Sequence, residues 1–251
     1  MVVLPIFLLA LQNPEADYFE IIDFTPPEGV LLEVSGLLPQ NDALYIATRR
    51  GEIWRVEDPL VDSPRFSLWA EGLQEPLGLL AHDGWIYSVQ RGELSRMRDS
   101  NGDGHMDDLE TVADGWHLSG NYHEYAFGPT QSPDGSFFLT LNKPFGGEPF
   151  GRAPWRGWTL KIGEDGSWEG VAAGLRSPAG VEASPWGEVF FTDNQGEWCA
   201  TGKFTAVGEG RFHGHPSSYF DHPKFIGKDL NKISIEDYRK MRSRPAVFIP
   251  H

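Results

Sequence analysis

A short apolar strand recurs four times along the chain, as Leu44-Tyr45-Ile46-Ala47, Ile86-Tyr87-Ser88-Val89, Phe137-Phe138-Leu139-Thr140 and Val189-Phe190-Phe191-Thr192. The steps between Tyr45, Tyr87, Phe138 and Phe190 are 42, 51 and 52 residues. Repeats of about 40–50 residues built from short strands and turns are the signature of propeller blades. Each recurring strand has a partner: Glu52-Ile53-Trp54-Arg55-Val56, Glu93-Leu94-Ser95-Arg96-Met97, Trp158-Thr159-Leu160-Lys161-Ile162 and Lys203-Phe204-Thr205-Ala206-Val207. An outer strand follows in three units, at Phe66–Trp69, Leu109–Val112 and Trp168–Val171. The polar/apolar alternation predicts half-buried antiparallel strands. Asp83-Gly84, Asp134-Gly135 and Asp165-Gly166 supply turns between them.

The start of a unit repeats as well. Gly72-Leu73-Gln74-Glu75-Pro76-Leu77-Gly78 returns as Gly174-Leu175-Arg176-Ser177-Pro178-Ala179-Gly180, two periods of 51 residues later. The reading is an all-β propeller of four-stranded antiparallel blades. About four blades lie in residues 18–216, and six are expected in a full-length protein; a complete four-bladed ring with a helical tail is the other reading. Residues 1–17 form an N-terminal segment whose apolar run 2–11 resembles the core of a signal peptide, without its basic start. A buried N-terminal strand is the other reading of that run. It is too short for a helix that spans a bilayer, so no stable membrane span is expected. Residues 217–251 depart from the pattern. Ser234-Ile235-Glu236-Asp237 reads as a helix start, and the apolar end as the start of a further, truncated blade.

Charge narrows the partners. The 251-residue chain carries a net charge of −15, which argues against nucleic acid, since that partner wants a basic face. One cysteine, Cys199, excludes an internal disulfide framework. In a blade, the loops between second and third strands share a face with the inter-blade loops. Sorted in this way, Arg49, Arg91, Lys143, Arg152, Arg156 and Arg176 gather around one mouth with Asp193 and Asn194. Such a rim would attract an anionic ligand, unless each arginine pairs with a local carboxylate such as Glu75 or Asp193. His123 on the same face suits a general base, or a satisfied structural role. His213 and His215, without a third zinc-spaced ligand, are expected to pack.

The segment Asp99-Ser100-Asn101-Gly102-Asp103-Gly104-His105-Met106-Asp107-Asp108-Leu109-Glu110 fits a calcium-loop pattern. Asp99, Asn101, Asp103 and Asp107 offer side-chain oxygens and His105 its carbonyl, which suits one Ca²⁺. The flanks are strand-like, so the expectation is a stapled hairpin at the opposite end of the blade from the arginine rim.

Ala126-Phe127-Gly128-Pro129, then Asp134-Gly135-Ser136-Phe137-Phe138, Gly174 to Val181, Gly187 to Asn194 and Gly214-His215-Pro216 together resemble the soluble glucose/sorbosone dehydrogenases that use pyrroloquinoline quinone. The likeness is greatest to the sorbosone-dehydrogenase-like branch. That resemblance implies a periplasmic or secreted oxidoreductase acting on a sugar or related alcohol or aldehyde, with a cytochrome c as possible electron acceptor. It implies His123 as base and Arg176 at the quinone, with Arg49, Arg91, Lys143, Asp193 and Asn194 completing the cofactor site. Ser177 departs from the asparagine usual in the glucose enzymes. Two other readings remain open: a non-catalytic propeller binding carbohydrate or protein, and a calcium-dependent lactonase-type propeller.

Overall fold

The computed structural model describes residues 14–23, 25–145, 153–196, 199–218, 232 and 234–250. The signal-like run 2–11 and Arg152 lie outside them. The fold is a β-propeller of four antiparallel blades. Blade 1 comprises β1 (Val34–Gln40), β2 (Ala43–Thr48), β3 (Ile53–Glu57) and β4 (Arg65–Ala70). Blade 2 comprises β5 (Leu80–His82), β6 (Trp85–Val89), β7 (Glu93–Arg98) and β8 (Asp108–Asp114). Blade 3 comprises β9 (Ala126–Gln131), β10 (Phe137–Leu141), β11 (Trp158–Ile162) and β12 (Trp168–Ala173). Blade 4 begins with β13 (Pro178–Ala183), β14 (Val189–Asp193) and β15 (Gly202–Ala206). The recurring apolar strand is the second of each blade. Asp83 and Gly84, both at positive φ (48° and 78°), make the two-residue turn that matches strand twist in the β5–β6 hairpin.

The core lies in the seams between blades. Ala47, Ile53 and Trp69 of blade 1 meet Ile86 and Met97 of blade 2. Tyr87, Val89 and Leu94 of blade 2 meet Phe137, Leu139 and Leu160 of blade 3. Phe138 and Val171 of blade 3 meet Val181 and Phe191 of blade 4. Alternate residues of one strand therefore enter adjacent seams: Ile86 goes one way and Tyr87 the other. This corrects the half-buried expectation for the middle blades. β6 and β10 are buried at every position, because both faces of their sheets are covered.

Innermost strands approach closely enough to require glycine. Gly78 adopts φ +132°, and a Cβ there would stand 2.2 Å from the Gly128 carbonyl oxygen. A Cβ on Gly36 would stand 2.8 Å from the Gly78 Cα. Gly128 N–H donates to Leu77 O at 3.1 Å across the same seam. Gly78→Ala combines backbone strain with a backbone clash, and each costs about 1–3 kcal/mol. A loss of about 3 kcal/mol in urea unfolding is the expected result; a loss below about 1 kcal/mol would mean the blades 2–3 seam is looser than described.

The tail differs from expectation. After β15 the chain runs to β16 (Arg211–Phe212), which pairs parallel with β12 as a fifth strand on blade 3. Helix α1 (Ile235–Met241) starts at Ser234, whose hydroxyl accepts the Asp237 N–H at 3.0 Å. Buried Tyr238 of α1 meets Phe212 edge-to-face. The final strand β17 (Val247–Ile249) then pairs antiparallel with β15. These residues were expected to start a further blade; the hydrogen-bond register makes them the fourth strand of blade 4.

His213 takes the packing role expected of it. It is 2% exposed and sits edge-to-face on Phe191 at 5.1 Å. Neither ring nitrogen has a hydrogen-bond partner among the described residues. Burial, helped by Lys203 and Arg211, pushes its pKa down from 6.5 to about 3. Between those values the unfolded chain takes up a proton that the folded one refuses. Stability is therefore whole above the upper value and falls as pH drops through the window, by up to about 1.4 kcal/mol per unit. Urea unfolding between pH 7 and pH 4.5 should show a shallower fall for His213→Phe than for the parent; parallel slopes would refute this origin.

Candidate functional site

Strand direction decides the faces. β2, β6, β10 and β14 each deliver the chain to a loop on the same side as the inter-blade connections. The inter-blade loop before blade 2 carries Glu75, whose carboxylate takes Arg49 at 3.1 Å and Arg91 at 3.3 Å. Arg49 also donates to the Tyr125 hydroxyl at 2.8 Å, and Arg91 to the Asn121 carbonyl. The two expected quinone-binding arginines thus reach the expected rim and clamp its loops through one carboxylate.

The connection between β8 and β9 carries the site's centre. Glu124 is wholly buried and accepts from Ser119 N at 2.9 Å, Ser119 Oγ at 2.6 Å and Asn121 N at 3.2 Å. The Asn121 amide oxygen accepts from His123 N at 3.0 Å and Phe145 N at 3.2 Å. Arg156 enters from beneath. It is 1% exposed and donates to four carbonyls: Glu124 at 3.1 Å, Tyr125 at 3.3 Å, Arg91 at 3.1 Å and His117 at 3.0 Å. Burial pushes its guanidinium down to about 10, against the opposing pull of Glu124. Arg156 was expected among the rim cations; it is a buried tie between two loops.

His123 is held on both ring nitrogens. Nδ1 lies 2.8 Å from the Lys143 carbonyl oxygen and Nε2 lies 2.9 Å from Ser177 Oγ. A carbonyl only accepts, so Nδ1 carries the proton and Nε2 presents its lone pair. Phe145 stacks on the imidazole at 3.6 Å. Lys143 Nζ and the Arg176 guanidinium lie 4.9 and 5.0 Å from the centre of that same Phe145 ring. His123 faces an open cavity of about 400 Å³, lined also by Tyr125, Phe127, Asn142, Ser177 and Asn194. The Asn142 amide oxygen on that wall is buried and has no hydrogen-bond partner among the described residues.

Asp193 lines the cavity but is spoken for. Its carboxylate accepts Ser177 N at 2.7 Å and Arg176 N at 3.2 Å and pairs with buried Lys203 at 3.0 Å. It fixes the Arg176-Ser177 turn. A Cβ on Gly196 would fall 1.8 Å from Arg176 Nε, so the bare backbone there is what admits the guanidinium. The structure therefore brings together His123, Lys143, Arg176, Asp193 and Asn194. Lys143's carbonyl, Phe145 and Ser177 complete the setting of His123, and sequence reasoning did not find these contacts.

The Asp-rich loop lies at the other end of β7 from Arg91. Asp99 accepts Gly102 N at 2.6 Å and Gly104 N at 2.8 Å, and these N–H groups, Gly104 foremost, hold its carboxyl below the usual range. Asn101 accepts Asp103 N, and Asp103 accepts His105 N, each at 2.9 Å. The Asp107 oxygens take Ser100 N at 2.9 Å and the Asn101 amide at 2.6 Å. Among the described residues no three His, Cys, Asp or Glu side chains are grouped to hold a metal ion.

Solved structures share this fold. The PQQ-bound aldose sugar dehydrogenase of Streptomyces coelicolor superposes with a TM-score of 0.62 at 16% identity, over 88% of this chain and 69% of that one. The soluble aldose sugar dehydrogenase of Escherichia coli, in its apo form, gives 0.57 at 17%, over 87% and 72%. The PQQ domain of Coprinopsis cinerea pyranose dehydrogenase gives 0.62 at 13%, over 88% and 66%. At such identities the likeness speaks for the fold alone. No curated protein sequence matches. No helix among the described residues is long and apolar enough to cross a membrane. A family model, "Domain of unknown function (DUF7133)", matches residues 38–219, well over half the chain, and the chain belongs to that family.

Proposed function

We propose that this propeller is a quinone-dependent oxidoreductase acting on a sugar or a related alcohol or aldehyde. The observation that carries the reading is His123: its tautomer is set by the Lys143 carbonyl, its ring lines the cavity, and Arg176 and Lys143 both reach the Phe145 ring stacked on it. The residues suit pyrroloquinoline quinone in kind. Two cations flank an aromatic ring, and a buried Asn142 oxygen awaits a donor. Arg176 and Lys143 would hold carboxylates; Arg49 and Arg91, already paired with Glu75, would brace the rim. A bound quinone supplies a two-electron acceptor. His123 Nε2 would take the substrate hydroxyl proton once Ser177 yields its place, and Tyr125 and Phe127 would offer the apolar faces on which a sugar ring rests. The structural neighbours named for PQQ and sugar dehydrogenation add support. The resemblance extends the proposal to the sorbosone-type branch, to export, and to a cytochrome c acceptor.

The test is reconstitution with the quinone, followed by dye reduction with a panel of aldoses, alcohols and aldehydes. Quinone binding with substrate-dependent reduction is the expected result; no saturable quinone binding would overturn the proposal.

A structural Ca²⁺ belongs to the proposal as well. Asp99, Asn101, Asp103, the His105 carbonyl and Asp107 would hold it. Ca²⁺ should raise the melting temperature, EGTA should reverse the rise, and Asp103→Ala should abolish both responses. Identical melting with and without Ca²⁺ would remove the ion from the account.

A further inference from the structure

We propose that Ser177 is a nucleophile toward small neutral carboxylic esters, with His123 as its base. Three features meet at one point. Ser177 Oγ lies 2.9 Å from His123 Nε2. The other ring nitrogen, Nδ1, donates to the Lys143 carbonyl at 2.8 Å. The hydroxyl sits on the wall of the 400 Å³ cavity. A nucleophile, a base within hydrogen-bond reach and a group orienting that base form the signature of an activated hydroxyl. Stacking on Phe145 and the Asp193 bonds to the Arg176-Ser177 turn hold both partners in place.

The step balances without a co-reactant other than water. Ser177 Oγ bonds to the ester carbonyl carbon as its proton passes to His123 Nε2, and the carbonyl π electrons move to oxygen. Collapse of this adduct breaks the carbon–alkoxide bond, and the alkoxide leaves with the proton from Nε2. Water then attacks the acyl-serine with His123 taking its proton, and a carboxylic acid departs as Ser177 recovers its hydrogen. The side-chain amides of Asn142 and Asn194, on residues lining the same cavity, would supply the N–H donors to a developing oxyanion, since their main-chain N–H groups are bonded to Tyr125 O and Ser177 O.

The surroundings choose the substrate class. Tyr125, Phe127, Pro178 and Ala179 form a largely apolar wall, and Asp193 on it is neutralised by Lys203. The orienting group is a carbonyl, not a carboxylate, so the imidazolium gains less stabilisation than in a full triad. That favours esters with good leaving groups over amides.

The experiment uses the whole chain without quinone, so its failure and that of the oxidoreductase reading are separable. p-Nitrophenyl acetate and butyrate report turnover, and a fluorophosphonate probe followed by peptide mass spectrometry reports the labelled residue. Labelling at Ser177 is expected, with turnover falling roughly 10²-fold or more in Ser177→Ala and His123→Ala. Circular dichroism and melting confirm that each variant folds. If one does not, Ser177→Cys in a Cys199→Ser background answers instead: iodoacetamide should alkylate it at a pH well below that of an ordinary thiol. Absence of label at Ser177, turnover retained by Ser177→Ala, or ordinary reactivity of the introduced thiol would each overturn the proposal.

Discussion

Arg156→Ala is expected to lower the unfolding free energy by about 3–5 kcal/mol, the cost of removing a buried charge from acceptors that depend on it. The guanidinium serves four backbone carbonyls drawn from two loops: Arg91 between β6 and β7, and His117, Glu124 and Tyr125 along the connection from β8 to β9. Water cannot replace it easily, because the side chain is 1% exposed. Arg156→Lys should recover only part of the loss, since one ammonium cannot span the planar fork that the carbonyls surround. Urea unfolding measures both. A loss under about 1 kcal/mol for alanine would show that the carbonyls find other donors. The same variant should broaden or shift the His123 imidazole resonances, since Glu124 and Tyr125 directly follow that residue.

His123→Ala is expected to reduce dye-linked turnover of the reconstituted protein by roughly 10²–10⁴-fold, the range supplied by a positioned general base. Quinone affinity should change little, because the imidazole is assigned a proton and not a carboxylate. Arg176→Ala should show the opposite pattern, with weakened quinone binding. This division is the informative result. Titrating the quinone by fluorescence separates binding from turnover. A His123→Ala protein retaining a tenth of the parent rate would place the base elsewhere.

Why these residues could be read from the chain, and others could not, follows from which atoms do the work. The blades were legible because a strand at a fixed period, Asp-Gly turns and the Gly72/Gly174 repeat are all written in side-chain type. The place of β17 was not: a strand was foreseen at the apolar end, but Val247–Ile249 arrives some forty positions after β15 and nothing in its letters assigns it to blade 4. Full burial of β6 and β10 was missed because serine and threonine there look polar, yet Ser88 and Thr140 are wholly enclosed. At the site, loop sorting put His123 and Arg176 on one face and the resemblance gave their roles; both meet the Phe145 ring. The group orienting His123 is a main-chain carbonyl, which no residue letter displays. Arg156 looked like its neighbours Arg49 and Arg91; only its depth distinguishes a tie between loops from a rim charge. Glu75 and Asp193 were the countercharges foreseen: Glu75 takes both Arg49 and Arg91, whereas Asp193 pairs with Lys203.

The excursion between β15 and β17 has a bearing on biosynthesis. Blades 1, 2 and 3 each draw their four principal strands from one contiguous run, so a nascent chain can zip each shut as it leaves the ribosome. Blade 4 must wait while the polypeptide visits the far edge of blade 3, lays down Arg211–Phe212 and α1, and only then returns. Translation thus leaves one sheet lacking its fourth strand for some forty codons, and the missing piece arrives already moored to its neighbour.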